Sequence, residues 1–390
     1  MRIIDNLGNF DNMIDRGKAQ YFHGREREKS VFRKMLNIAK KSMSGTIFLI
    51  QGSPGVGKTA LLEEFKEMAI VDHWGVVKIK PDGLWDTEQL KKYLKREWKI
   101  KLKDFKGKAS AYGVQVEANF EFSKKSVLQI LESSKNPLLL VLDEAQNIKK
   151  VFNTDFTTRN TVENVLDEIH NGGFDRPLMF AVSGLGMTKN ILQELGISRF
   201  NQDCAINLGK IDQLSERKII RDWIYQAGNI DKNINVDLWI HEITKETCGW
   251  AQHINAYGRS ASEYLRTKTR EFDQGCLTRL GLDNVLEEGK RKRLEYYKER
   301  VISFHYEEIE EITKMLNEKT ILYPMKRRDI ICSFKKEFPT EKSEDLFERV
   351  VEKGVFHRID DGRYIVPVPS MKHWLMSHQW NIKEEKNGPL

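Results

Sequence analysis

Gly52-Ser53-Pro54-Gly55-Val56-Gly57-Lys58-Thr59 is a complete G-x-x-x-x-G-K-[ST] sequence. The apolar run at 46–50 before it predicts a buried strand, and the pattern that begins at Ala60 predicts a helix. A glycine-rich loop between a strand and a helix turns successive backbone N–H groups toward a phosphate. We therefore predict an ATP site in which Lys58 binds the β- and γ-phosphates and Thr59 coordinates Mg²⁺. The predicted nucleotide contacts here are Gly52, Ser53, Pro54, Gly55, Val56, Gly57, Lys58, Thr59 and Ala60.

Length and composition indicate a multidomain globular protein. A chain of 390 residues is too long for one ordinary core, and a hydrophobic share of 40% fits a soluble protein. No run approaches ~20 consecutive apolar residues, and the N-terminus lacks the apolar core of a secretory signal. We therefore expect a cytoplasmic protein with no membrane partner. The four cysteines lie far apart without a C-x-x-C pair, which argues against a zinc knuckle or a disulfide framework.

Two later apolar runs end in polar residues suited to phosphate chemistry. The run at 137–142 predicts a central parallel strand, and Asp143 and Glu144 follow it directly. Because ligands of open α/β sheets lie beyond the carboxyl ends of the strands, we predict that Asp143 holds Mg²⁺ and Glu144 activates a water. The run at 177–182 predicts another strand, which places Ser183 toward the γ-phosphate. Asn147 is the alternative residue for this last role.

The remaining pattern predicts three domains. An α/β core is expected at 1–209 with an insertion at about 80–130, a helical lid at 210–285, and a further domain at 286–390. In this last domain three helical segments precede two short strands that flank Asp360-Asp361-Gly362. That order is typical of a winged helix, whose third helix enters the major groove while the wing follows the backbone.

Charge is the second feature of the C-terminal part. The formal net charge of +7 is only mildly basic, but basic clusters concentrate there, among them 290–293 and 326–328. We predict that duplex DNA is a partner of the winged helix. A solvated basic face on a domain that docks a protein is the alternative interpretation. The candidate DNA contacts are Lys326, Arg327, Arg328, Arg358 and Arg363.

Another motif precedes the phosphate loop. Phe22-His23-Gly24-Arg25-Glu26-Arg27-Glu28 has the form of an F-x-G-R-E-x-E box. Together the box, the loop and the Asp143-Glu144 pair resemble the AAA+ and STAND P-loop ATPases, most closely the branch of origin-recognition-type initiators. The resemblance implies a P-loop NTPase fold with a parallel sheet and a helical lid. It also implies that Gly24, Arg25 and Glu26 contact the adenine end of the nucleotide and that Ser183 is the first sensor residue.

Two further positions bear on how such an ATPase works. The segment at 197–200 resembles one that supplies an arginine to a neighbouring subunit, which makes Arg199 a catalytic candidate, with Lys189 as its rival, and implies a homo-oligomer. The lid departs from the family, because Gln252 stands where a second sensor arginine is expected. A neutral amide can hydrogen-bond a phosphate but brings no charge. His253 is a possible substitute, and a packed helix start beneath Trp250 is the alternative interpretation.

These features favour an ATP-binding and slowly hydrolysing AAA+/STAND-type switch that couples nucleotide state to DNA association through the winged helix. A STAND-type signalling or defence ATPase, whose C-terminal domain binds protein instead, is the alternative from another class. The ATPase subunit of a mobile-element machine would use the same residues. A small-molecule kinase fits less well, because a strand that ends in Asp143-Glu144 suits the activation of water.

Overall fold

The computed structural model describes two compact units. The first comprises 25–51 and 58–206, and the second comprises 19–24, 52–57 and the chain from 207 onward. The predicted insertion at 80–130 lies outside the described residues. Those residues are 19–42, 45–79, 136–148, 163, 166, 167, 170, 176–197, 204–267, 272–273, 276–277, 279–318, 323–359, 362–378 and 380.

The first unit is built on a five-stranded sheet. Its strands lie in the order β2-β3-β4-β1-β5, and the β2–β3, β3–β4 and β4–β1 pairs are parallel. The apolar runs that predicted central strands form β3 and β4, in which every residue is buried. The elements are α1 (Glu26–Ser42), β1 (Gly45–Gln51), α2 (Lys58–Val71), β2 (Gly75–Ile79), β3 (Leu138–Leu142), β4 (Leu178–Gly184), α3 (Thr188–Glu194) and β5 (Ala205–Asn207). The predicted α/β parallel sheet is confirmed.

The register of the sheet brings the predicted chemistry to one edge. Ile50 pairs with Ser183 and Gln51 with Gly184, so β1 and β4 end side by side. Leu142, at the end of β3, pairs with Val182, which places Asp143 beside the end of β4. On one face of the sheet, Phe32 of α1 stacks on Phe65 of α2 with ring centroids 4.0 Å apart. Burial of such aromatic rings fixes these helices against the strands.

The lid region of the second unit is helical. It contains α4 (Gln213–Asp222), a π-helical turn (Trp223–Ala227), α5 (Asp237–Thr247), α6 (Ala251–Thr267), the strands β6 (Phe272–Asp273) and β7 (Cys276–Leu277), and α7 (Arg279–Val301). Helix α5 ends in a turn of two residues with positive φ angles. The left-handed cap is Cys248, with φ 49°, and Gly249 follows with φ 77°. The carboxylate of Glu216 reinforces this turn by accepting from Thr247 Oγ1 at 2.5 Å and from Gly249 N–H at 2.7 Å.

The C-terminal part of the second unit has the element order of a winged helix. Three helices precede an antiparallel hairpin, and Met325 pairs with Tyr364 to extend that hairpin by a third short segment. The elements are α8 (Tyr306–Asn317), α9 (Arg327–Phe334), α10 (Thr340–Glu352), β8 (His357–Arg358), β9 (Tyr364–Ile365) and α11 (Pro369–Met376). The predicted order of three helical segments followed by two short strands is thus the observed one. Across the described ranges, no helix is long and apolar enough to cross a membrane.

Candidate nucleotide site

The phosphate loop joins β1 to α2, as predicted. Strand β1 ends at Gln51 and helix α2 begins at Lys58, whose side chain is buried. Gly55 and Gly57 have φ angles of +75° and +99°, a region that residues with a Cβ rarely adopt. The glycines of the motif are therefore required by the backbone path. Lys58 begins the helix at the end where the macrodipole favours anions.

Asp143 is the centre of the polar cluster at the sheet edge. Thr59 Oγ1 donates a hydrogen bond to Asp143 Oδ2 at 2.7 Å. The other carboxylate oxygen, Oδ1, accepts from the hydroxyl of Ser183 and from the N–H of Glu144, the latter at 3.0 Å. A hydroxyl and a carboxylate oxygen side by side are the hard ligands that Mg²⁺ prefers. The cluster therefore fits a magnesium nucleotide, and Ser183, which is fully buried, orients the carboxylate.

Glu144 is exposed and has an unusual backbone conformation. Its φ of 55° and ψ of 42° place it in the left-handed region, which is uncommon for a residue other than glycine. Strain of this kind clusters at functional sites. The side-chain amide of Gln146 donates to Glu144 Oε2, and Gln146 Oε1 accepts from Leu185 N–H at 3.2 Å. Gln146 thus ties Glu144 to the end of β4, and Asn147 lies in the same 3₁₀ turn.

The residues of the F-x-G-R-E-x-E box, 22–28, belong partly to the second unit, up to Gly24, and partly to the first unit, from Arg25 onward. In the second unit, His23 Nε2 lies 2.6 Å from Asp222 Oδ2, and Tyr21 packs edge-on against Trp223. A Cβ at Gly24 would lie 2.5 Å from Ser215 Oγ, so only glycine fits there. In the first unit, Nη1 of Arg25 lies 3.4 Å from Oε1 of Glu28, and Nζ of Lys29 lies 3.3 Å from Oε1 of Glu26. A role of Gly24, Arg25 and Glu26 at the adenine end stays a prediction.

The start of α6 has no cation. Gln252 donates its backbone N–H to the carbonyl of Gly55 at 3.0 Å, while its side-chain Oε1 is buried without a hydrogen-bond partner in the described structure. His253 is buried between Tyr296 and Tyr297. Burial, reinforced by the charge of Arg293, lowers the pKa of His253 to about 3. His253 is therefore neutral at physiological pH and cannot replace the missing arginine.

The candidate DNA contacts are exposed in the C-terminal part of the second unit. Arg327 also stacks on Phe347, with 5.0 Å from the guanidinium carbon to the ring centroid, and Arg328 lies 3.2 Å from Asp329. The third helix, α10, is mostly acidic on its exposed side. That side carries Glu341, Glu344, Asp345, Glu348 and Glu352, with Lys342 as its exposed base. Carboxylates repel DNA phosphates, so this face does not favour insertion of the helix into a major groove. The exposed candidates are Lys326, Arg327, Arg328, Arg358 and Arg363.

The basic cluster at 290–293 has a structural explanation. Arg291 pairs with Glu288 and Glu295, Lys292 pairs with Glu263, and Arg293 pairs with Glu246 at 2.9 Å. These are contacts within and between lid helices. The cluster therefore provides no evidence for a nucleic-acid surface.

Some predicted residues are not tested by the structure. Arg199 lies outside the described residues, and its rival Lys189 lies in α3. In the part of the chain that is described, no group of three or more His, Cys, Asp or Glu side chains is arranged to hold a metal. Cys204, Cys248 and Cys332 are free thiols.

Comparisons with known proteins agree with this architecture. Residues 21–179 match the family model described as an AAA ATPase domain. Two solved structures of the Aeropyrum pernix ORC2 protein are similar in fold. The form described as ADPNP-ADP complexes has 14% sequence identity and a TM-score of 0.51, and the match covers 95% of this chain and 97% of that one. The ADP form has 13% identity, a TM-score of 0.54, and coverage of 93% and 96%.

No curated relative matches the chain at the level of sequence. At these identities the two solved structures establish the fold, and the family model establishes the domain. Residues 21–179 thus match the model of an AAA ATPase domain, and the chain has the fold of the two Aeropyrum pernix ORC2 structures.

Proposed function

We propose that this protein is an ATP-hydrolysing switch whose nucleotide state controls its association with duplex DNA through the C-terminal winged helix. The observation that supports ATP chemistry most strongly is the cluster around Asp143. Its two oxygens accept hydrogen bonds from Thr59, at the start of the helix after the phosphate loop, and from Ser183, at the end of β4. This arrangement holds one carboxylate beside the hydroxyl that the loop motif assigns to Mg²⁺.

The residues of the chain divide the chemistry among them. Lys58 and the N–H groups of the loop hold the phosphates, while Thr59 and Asp143 hold the metal. Bound MgATP supplies the phosphoryl group and the charge neutralisation of its oxygens. Glu144 accepts the proton of the attacking water, and Gln146 orients the Glu144 carboxylate toward that role. Arg199 and an adjacent subunit belong to the same proposal, as does the adenine contact of Gly24, Arg25 and Glu26.

DNA association is supported by the exposed basic residues of the winged helix. Lys326 and Arg328 lie at the start of α9, and Arg358 and Arg363 flank the wing turn. Because the exposed side of α10 is acidic, we assign the DNA contact to α9 and the wing rather than to the third helix. Contacts of this kind are made to phosphates and carry little sequence information.

The acidic face of α10 favours a second candidate function. In a STAND-type switch, the C-terminal domain would dock a protein, and an acidic face can contact a basic protein surface favourably. In a DNA-binding domain, the same carboxylates would repel the phosphates. The two functions differ in the response to salt. Each phosphate neutralised by a Lys or Arg contributes a slope of about 0.9 to the dependence of log affinity on log salt.

The experiment is duplex binding over a range of salt concentrations with a charge-reduced variant. Lys326→Ala combined with Arg328→Ala and Arg358→Ala is expected to weaken binding and to reduce the salt slope by about 2 to 3. Arg291→Ala is the matched control, because its charge is already paired with Glu288 and Glu295. If the wild-type protein binds no duplex at low salt, the proposed DNA association is wrong, and the protein-docking switch is favoured instead.

A further inference from the structure

The ring of Pro54, in the phosphate loop, lies against the turn that follows α10. A Cβ built on Gly354, the second residue after that helix, would lie 2.5 Å from Cγ of Pro54 and closer still to Cδ. A glycine is therefore the residue that leaves room for the proline ring at this place. The loop segment 52–57 and the turn both belong to the second unit, so the contact is made within that unit.

Tyr296 holds the same proline from α7. Its hydroxyl donates to the carbonyl of Pro54 at 2.7 Å, and this hydrogen bond is buried. The next carbonyl of the loop, that of Gly55, accepts from the backbone N–H of Gln252 at 3.0 Å. Two successive carbonyls thus turn toward the lid helices. Because phosphate binding by a glycine-rich loop depends on how its peptide groups are turned, the two bonds fix a property that matters for nucleotide affinity.

Helix α7 also holds the C-terminal module, which is residues 306–376 with helices α8–α11 and the hairpin. The hydroxyl of Tyr297 lies 2.6 Å from Oγ of Ser370, and its ring centroid lies 5.6 Å from that of Trp374. The rings of Tyr296 and Tyr297 are themselves in contact, with centroids 5.9 Å apart. Adjacent residues of α7 therefore hold the phosphate loop and the C-terminal module.

Gly354 has a second reason to be glycine. Its φ is +73°, in the left-handed region that ends many helices, and its N–H donates to the carbonyl of Val351 at 3.1 Å. This helix cap explains the residue type but not the proline ring beside it. Gly362 separates the two effects, because its φ is +80° while the nearest atom that a Cβ would meet beyond the chain neighbours, within the described residues, is Nη2 of Arg358 at 3.6 Å.

We propose that the C-terminal module positions the phosphate loop for nucleotide. The turn after α10 holds the ring of Pro54, Tyr296 holds its carbonyl, and a displacement of the module lowers the affinity of the loop for phosphate. Gly354 and Tyr296 are positioning residues, since both act through Pro54. This inference rests on the proposed ATP site and adds to it a direct contact between the loop and the module.

The coupling acts in both directions. If the position of the module changes nucleotide affinity by a given factor, bound nucleotide changes the preference of the module for that position by the same factor. ATP and ADP both carry the β-phosphate that the N–H groups of such a loop hold. The contact at Pro54 therefore distinguishes an occupied loop from an empty one and does not distinguish ATP from ADP.

The test is calorimetric titration of the full chain with AMP-PNP, a non-hydrolysable analogue of ATP, and with ADP, both with Mg²⁺. Gly354→Ala places a methyl group where the Pro54 ring lies and is expected to weaken the binding of both nucleotides by a similar factor, about fivefold or more. Gly362→Ala introduces the same kind of backbone strain without that contact. It is expected to change either affinity by less than about twofold.

Pro54→Ala supplies the rescue. It removes Cγ and Cδ of the ring and keeps the carbonyl that Tyr296 holds, so a methyl group at position 354 has room. Gly354→Ala introduced into Pro54→Ala is therefore expected to weaken nucleotide binding by less than about twofold. An effect on the helix cap alone would give the same loss in both backgrounds. That result, or no loss in the single variant, would overturn the proposal.

Tyr296→Phe tests the second contact and decides the outcome if thermal melting shows that Gly354→Ala is not folded. Without the hydroxyl the Pro54 carbonyl loses its donor, and both nucleotides are expected to bind about threefold to tenfold more weakly. Tyr323→Phe removes a hydroxyl that bonds to Val366 within the module and is the matched control. Unchanged affinities in Tyr296→Phe, or an equal loss in Tyr323→Phe, would contradict the positioning role while the ATP site itself stands. Wild-type protein that binds neither nucleotide would overturn both the inference and the function on which it rests.

Discussion

The hydroxyl of Thr59 lies 2.7 Å from Oδ2 of Asp143, which joins the helix after the phosphate loop to the end of β3. This contact has a direct consequence for metal binding. Asp143→Asn keeps the size of the side chain but replaces one anionic oxygen by an amide. We expect the variant to lose most of the effect of Mg²⁺ on ATP affinity, a change of about tenfold or more.

The measurement is ATP affinity with and without Mg²⁺. Glu194→Gln removes an exposed carboxylate from α3 in the same unit and is the control. An Asp143→Asn protein with a full response to Mg²⁺ would remove Asp143 from the metal site.

Glu144→Gln tests the water-activating role of the exposed carboxylate. The amide can still accept a hydrogen bond but cannot take the proton of water, so ATP binding is expected to persist while turnover falls by about 10²–10⁴-fold. Phosphate release and nucleotide binding are measured on the same preparation. Unchanged turnover in this variant would show that Glu144 is not the base.

His253 predicts a dependence of stability on pH. Its pKa is about 3 in the folded protein and 6.5 in the unfolded chain, because burial disfavours the charged ring. Above pH 6.5 both states are neutral and this residue costs no stability. As the pH falls below 6.5, His253 binds a proton in the unfolded state but not in the folded state. The free energy of unfolding then falls by about 1.4 kcal/mol per pH unit until pH 3.

His253→Phe keeps the ring between Tyr296 and Tyr297 and removes the titration. We expect the variant to lose less stability than the wild type between pH 6.5 and 4, as measured by urea unfolding. Parallel stability curves for the two proteins would mean that His253 is not responsible.

We expect the hydrogen bonds of Glu216 to stabilise the lid. One carboxylate oxygen accepts from both Thr247 Oγ1 and Gly249 N–H, and the residue is buried. Glu216→Ala leaves these two donors without a partner and is expected to cost about 1–3 kcal/mol of the free energy of unfolding. Glu216→Gln keeps a carbonyl oxygen that can accept both bonds and is the matched control. Equal losses in the two variants would point to charge rather than to hydrogen bonding.

The fold was predictable where the determining signal is local. The loop, its flanking strand and helix, and the buried strands that end at Asp143 and Ser183 follow from short patterns in the sequence. The contact between Thr59 and Asp143 followed from the rule that ligands bind beyond the carboxyl ends of parallel strands.

Other features depend on contacts between distant segments. Tyr296 reaches Pro54 across 242 positions of the chain, and nothing in the pattern of α7 distinguishes it from the adjacent Tyr297. The cluster at 290–293 illustrates the same dependence, since it added to the basic character of the C-terminal part in the sequence, and its charges are paired with glutamates within the lid. Gln146 also lacked a signal in the sequence, because its role depends on Leu185, which follows β4.

The most direct test of the account is the affinity of the wild-type protein for duplex DNA at fixed salt with AMP-PNP, with ADP and without nucleotide, each with Mg²⁺. We predict that DNA affinity differs between the AMP-PNP and ADP states, and that this difference disappears in Lys58→Ala, which lacks the phosphate-binding lysine. Identical affinities in the three states, or a difference that persists in Lys58→Ala, would contradict a switch in which nucleotide bound at the phosphate loop controls DNA association.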